Sequence, residues 1–223
     1  MKSDTAKGPQ PSARIQEKRR RVRQEILDVA REQLNEGGVE AVTLESVAGD
    51  LGMTRQALYH YFPSKEALNR SLVTSLVDEE VETLIAAVEA ADAGEDTLAT
   101  LIRAYYEHYI ANLNAFRAIF CQTQLHSAAR LELDRQTLHQ EINPRTQHLF
   151  DVLEERLAGR TRSAAKRLRL RRLAYTAWTS ALGLVTMLGV ADAIDDPLLH
   201  RDEDLLDTLA SVFEAARKQV YNP

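Results

Sequence analysis

The chain has 223 residues, a formal net charge of −5 and 44% apolar residues. That is long enough for a small module joined to a larger domain with a sizeable core. The single cysteine, Cys121, excludes an intramolecular disulfide. Met1–Arg23 shows no apolar signal core, and no run is read as approaching the roughly 20 apolar residues of a membrane span, so a cytoplasmic location is expected. Glycine and proline are few while Ala, Leu, Arg and Glu abound, which favours an all-α fold. Residues 1–70 carry 12 Lys/Arg against 10 Asp/Glu, and residues 71–223 carry 16 against 23. The first part therefore suits contact with phosphate and the remainder does not.

In chain order, residues 1–17 are polar, with Gly8, Pro9 and Pro11, and are expected to form a disordered tail. Lys18, Arg19, Arg20, Arg21 and Arg23 follow. Cations at a helix start oppose its dipole, so a phosphate-facing role and a solvated face both stay open. Val22, Ile26, Ala30 and Leu34 recur at helical spacing up to Gly37-Gly38. Thr43 stands as an N-cap before Leu44, Val47, Ala48 and Leu51, and Gly52 stops that helix after about two turns. Thr54 caps a further short helix to about Tyr61, and Ser64 caps a long one from Lys65. Two short helices joined by a tight Gly-containing turn are the pattern of a helix-turn-helix. Beyond it, helices are predicted over about 65–91, 96–113, 115–123, 128–158 (broken near Asn143 by Pro144), 163–190 and 201–220. No segment alternates with period two, so no sheet is predicted.

The apolar set Val47, Ala48, Leu51, Met53, Leu58, Phe62 and Leu68 would lock three small helices together. What remains on the third is Thr54, Arg55, Gln56, Ala57, Tyr59, His60 and Tyr61. That surface suits a major groove: Arg pairs with guanine, Gln with adenine, and the Ala methyl meets a thymine methyl. Thr, Tyr and His donate to phosphates. Tyr61 suits burial as well as contact.

The segments Thr43–Ala48, Leu51–Thr54 and Leu58–Leu68 read "T-x-x-x-V-A", "L-G-M-T" and "L-Y-H-Y-F-x-x-K-x-x-L". By these motifs, over residues 20–70, the chain resembles the TetR (tetracycline-repressor-like) family of transcriptional regulators. The resemblance implies an N-terminal three-helix DNA-binding domain at residues 18–68, and a larger helical ligand-binding and dimerisation domain at residues 69–223. It implies that Thr43 and Thr54 cap helices and touch phosphate, and that Arg55, Gln56 and Ala57 lie at base edges. Tyr59, His60 and Tyr61 would contact backbone or bases, and Lys65 a phosphate. It further implies a repressor released from a double-stranded operator by a small molecule.

The family pairs its last two helices across a homodimer, here residues about 163–220. The stripes Leu170, Ala174, Ala177/Trp178, Ala181, Val185, Leu188 and Leu205, Leu206, Leu209, Val212, Phe213 suit that role, and equally suit packing within one subunit. The basic cluster Arg160–Arg172 reads as a solvated face. Candidate ligand-binding residues are Tyr105, His108, Tyr109, Phe116, Phe120, Gln124, His148 and Trp178, although aromatics at such spacing also build cores. No cofactor, metal set or catalytic motif is read, so an enzyme is not expected. A nucleoid-type structural DNA binder is disfavoured by the acidic balance of the whole chain.

Overall fold

The computed structural model describes residues 13–91, 96–121, 135–194 and 200–221, and every regular element among them is helical. The chain divides into two compact units, Met1–Leu72 and Val73–Pro223. That division lies inside a helix, four residues beyond the boundary expected after Leu68.

In the first unit, α1 spans Ala13–Gly37. Residues 13–17, expected to be tail, are its first turn. Glu17 pairs with Arg20 at 2.7 Å and Glu25 with Arg21 at 3.2 Å, and such pairs at helical spacing extend a helix into polar sequence. Residues 1–12 of the expected tail lie outside the described residues. Ile26, Leu27, Ala30 and Leu34 form the buried face, and Gly38 ends the helix at a φ of 70°, where glycine carries no Cβ penalty.

Helix α2 (Leu44–Asp50) begins at a reciprocal cap: Ser46 N donates to Thr43 Oγ1 at 3.0 Å, and Thr43 N to Ser46 Oγ at 3.1 Å. The Ser46 hydroxyl also donates to Gln33 Oε1 at 2.8 Å, which ties α2 to α1. Thr43→Ala is expected to destabilise this unit by about 1 kcal/mol in urea unfolding. Gly52, at a φ of 61°, makes the turn into α3 (Arg55–Tyr59), whose Thr54 cap accepts from Ala57 N at 3.1 Å. Leu58 and Phe62 are fully buried and seat α3. Helix α4 (Lys65–Ala90) starts where Ser64 Oγ accepts from Ala67 N at 3.2 Å.

The second unit is built around α8. Its other members are the part of α4 beyond Leu72, α5 (Thr97–Ile110), α6 (Leu113–Phe116), α7 (Asn143–Ala158) and α9 (Asp202–Tyr221), with α8 at Ala164–Ala193. Helix α8 packs against α5, α7 and α9, and α9 packs on α5. Asp96 caps α5 and its other oxygen accepts from Arg217 on α9 at 2.7 Å. The break expected at Pro144 is present. Pro144 occupies the first turn of α7, where its missing N–H is not needed, and a wide π-type turn, Leu138–Ile142, leads into it. A second such turn, Arg117–Cys121, follows α6, where a regular helix was expected.

Leu173–Ala191 of α8 carries no charged side chain, and α8 is long and apolar enough by composition to cross a bilayer, which corrects the expectation that no run approaches that length. In this fold its stripe Leu170, Ala174, Ala177, Ala181, Val185 and Leu188 is the core of the unit. The subunit-pairing stripe drawn on these residues is thereby corrected. They are consumed inside the protomer, as are Leu206 and Phe213 of α9.

Candidate nucleic-acid interface and effector cleft

Within the first unit, Thr54, Arg55, Gln56, Tyr59 and His60 are exposed on and beside α3. Thr43, Ala57, Tyr61 and Lys65 are half-buried. Arg55 Nη2 donates to Tyr59 Oη at 3.1 Å and its guanidinium lies 5.6 Å from the Tyr59 ring, so the two side chains share one face. Thr43 and Thr54 each accept from a backbone amide with the hydroxyl oxygen, and the Thr43 hydroxyl also lies 2.9 Å from Ser46 Oγ.

The basic run divides in a way its sequence did not reveal. Arg23 Nη1 donates to the Tyr61 carbonyl at 2.8 Å and Nη2 to Ser71 Oγ at 2.7 Å, and the guanidinium covers the Phe62 ring at 4.1 Å. Arg19 Nη2 donates to the His60 carbonyl at 3.2 Å. Arg23 is a strut that holds the end of α3 against α1 and α4 rather than a free cation. These partners are 38 and 48 residues away, so no local pattern announces them.

In the second unit, the aromatics expected to bind ligand form a packed cluster. Tyr105, Tyr109 and Phe116 are buried, with ring centroids 5.0 Å apart for Tyr105 and Tyr109 and 5.3 Å for Tyr109 and Phe116. Phe120 lies 5.2 Å from Phe116, and the His108 ring meets Tyr109 edge-on. The cluster encloses Glu80 of α4, which is 4% exposed. Glu80 Oε2 accepts from Tyr109 Oη at 2.6 Å and Oε1 from Trp178 Nε1 at 3.2 Å. Burial pushes the Glu80 carboxyl above its ordinary range, while both donors pull it back. Burial also pushes the Tyr109 hydroxyl up, and the neighbouring Glu80 charge adds to it.

The large cleft lies elsewhere, between α7 and α8, with a volume of about 770 Å³. Asn143, Thr146, Gln147 and Phe150 line it from α7, and Arg171, Arg172, Tyr175, Thr176 and Trp178 from α8. Of the expected ligand residues only Trp178 faces it. His148 is exposed on α7 and is not part of its lining, and Gln124 lies outside the described residues. Phe116 instead lines a smaller cavity with Thr186, Gly189 and Val190 of α8. For Tyr105 and Tyr109, helical spacing shows that the side chains share a face of α5 without showing what that face meets. Here it meets α8 and α4.

A capped helix, a glycine turn and a second short helix with a polar exposed face define a helix-turn-helix DNA-binding unit. Residues 26–72 match the model of the bacterial regulatory proteins of the tetR family. The chain is 33% identical over 97 residues to a nucleoid occlusion factor, SlmA, of Actinobacillus pleuropneumoniae, covering 43% of this chain and 46% of that protein. It is 30% identical over 133 residues to the HTH-type transcriptional repressor KstR2 of Rhodococcus jostii, covering 59% and 63%. The chain thus spans about half the length of the curated relatives it matches. Its fold is similar to that of a TetR/AcrR-family regulator from Thermobifida fusca, with a TM-score of 0.62 at 19% identity over 86% of this chain and 96% of that one. It is also similar to that of TetR from Acinetobacter baumannii in complex with minocycline, at 0.56 and 19% over 86% and 96%. At such identities the likeness is one of fold.

Proposed function

We propose that this chain is a non-enzymatic, homodimeric, cytoplasmic transcriptional repressor that reads a DNA operator with α3 and is released by a small molecule bound in the second unit. The observation that carries the DNA-reading part is the exposed set Thr54, Arg55, Gln56 and Tyr59 on a helix seated by buried Leu58 and Phe62. Arg55, Gln56 and Ala57 read base edges. Thr43, Thr54, Tyr59, His60, Tyr61 and Lys65 contact or position the phosphate backbone. Relatives named as a repressor and as a nucleoid occlusion factor match comparably well, so the matches do not choose between these roles. The cleft, which a purely architectural DNA binder has no use for, favours the repressor.

Dimerisation is supported by the outer face of α8. Met187, Val190 and Ile194 are 59%, 51% and 66% exposed, and Gly183, one turn earlier, has nothing within 4 Å of where a Cβ would stand. Val212 of α9 is exposed too. A row of exposed apolar side chains beside a glycine suits close helix approach by a second copy. The double variant Met187→Glu, Val190→Glu is expected to sediment as a monomer. Its affinity for a two-half-site operator should fall about a hundredfold or more, because the second half-site no longer binds intramolecularly. An unchanged dimer would place the interface elsewhere.

Release follows from differential affinity: a ligand that fits the second unit better in one spacing of the two reading heads draws the population off DNA. The proposed lever is α4, which begins at Lys65 and carries Glu80. A gel shift with an operator selected from genomic fragments tests the reading. A sequence-specific complex that dissociates with an effector supports it, and binding indifferent to sequence and to any small molecule refutes it.

A further inference from the structure

We infer that the cleft between α7 and α8 takes an organic anion with a planar apolar body, its carboxylate held by Arg172 and its rings by Phe150, Tyr175 and Trp178. This deepens the proposed function and rests on its reading of the second unit as an effector domain.

The charges on the cleft wall decide the class. Among the described residues no acidic side chain lines it. Arg171 has two acidic partners: its Nη1 donates to both Asp151 and Glu154, and Arg167 Nε donates to Glu154 at 2.7 Å. Arg171 is therefore neutralised by its partners. Arg172, exposed and one residue on, makes no ion pair among the described residues. The wall consequently carries one uncompensated positive charge.

Glu80 is not part of the lining. It is 4% exposed, its two oxygens accept from Tyr109 and Trp178, and it lies on the indole N–H side of Trp178. That bond fixes the Trp178 ring as a wall: the indole N–H points inward to Glu80 and the ring stands 5.7 Å from Tyr175 and 5.9 Å from Phe150. Three aromatic faces and one free guanidinium suit a rigid apolar body with a single carboxylate, since Arg binds carboxylate through a planar fork. A volume of about 770 Å³ is that of a site for a drug-sized molecule. A polyanion would need several free cations, and the described residues of the wall present one.

The test is calorimetric titration of the full chain with three probes that share a body and differ in charge: naphthylacetate, naphthylethanol and naphthylethylamine. Naphthylacetate is expected to bind about tenfold or more tighter than the alcohol, with the amine weakest. Arg172→Ala should remove the preference for the anion, Arg172→Lys should keep part of it, and Arg172→Glu should shift it to the amine. Circular dichroism confirms that each variant keeps its helices, which is expected for an exposed position. Equal binding of the three probes, preference for the amine, or a preference untouched by Arg172→Ala would overturn the assignment. Binding of none would overturn it as well. The repressor reading is measured separately, by operator binding without any probe, so the two failures are distinguishable.

Discussion

Arg23→Ala is expected to loosen the DNA-reading unit by about 2–4 kcal/mol, the sum expected for charge-assisted hydrogen bonds and a cation–π contact at a half-buried site. The Tyr61 carbonyl, the Ser71 hydroxyl and the Phe62 ring all lose their partner at once. Arg23→Lys is expected to recover little, because an ammonium cannot span both oxygens while lying flat on a ring. Hydrogen exchange across residues 54–62 should accelerate, and operator affinity should fall with it. The salt dependence of binding separates this role from a phosphate contact. A strut leaves the slope of log affinity against log salt unchanged, whereas loss of a phosphate contact lowers it by about one. A lower slope at wild-type stability would return Arg23 to the DNA-facing set.

Glu80 variants are expected to change the stability of the second unit in opposite directions. Glu80→Ala leaves the Tyr109 hydroxyl and the Trp178 indole N–H buried without their acceptor, at a cost of about 2–4 kcal/mol, which lowers Tm by on the order of 10 °C. Glu80→Gln keeps an acceptor and removes a buried charge, and its effect depends on pH. Because burial raises the Glu80 carboxyl in the folded state, the wild type is favoured below its ordinary value of 4.5 and loses that advantage as pH rises through the raised value. Glu80→Gln should therefore melt above the wild type at pH 8, with the gap closing toward pH 4.5. Thermal melts followed through Trp178, the one tryptophan of the chain, report this directly. A gap that widens on acidification would mean that the two donors outweigh burial.

What the sequence showed of the fold follows from which forces are local. Thr43, Thr54 and Ser64 announced three helix starts because a cap acts over three residues, and Gly52 announced the turn because its φ is positive. The exposed face of α3 could be read for the same reason. Elsewhere the deciding contacts are distant. Helix α8 is apolar on both faces, so periodicity alone could not say that Ala174 and Val185 turn inward while Met187 and Val190 turn out. The rings of α5 line up at helical spacing whether they meet a ligand or Glu80. The cleft joins Asn143 to Trp178 across two helices and a loop, and no spacing pattern reaches that far. At residues 13–17 polar composition pointed to a tail, yet the Glu17–Arg20 and Arg21–Glu25 pairs carry the helix through.

Whether α3 reads base sequence is measured directly by a gel-shift competition between the selected operator and single-base variants of it, run for wild type, Arg55→Ala, Gln56→Ala and Lys65→Ala. Arg55→Ala and Gln56→Ala are expected to weaken operator binding about tenfold to a hundredfold and to erase discrimination at one half-site position each. Lys65→Ala should weaken all sequences alike and lower the salt slope by about one. Wild-type affinity and wild-type discrimination in both Arg55→Ala and Gln56→Ala would contradict the assignment of α3 as the reading helix.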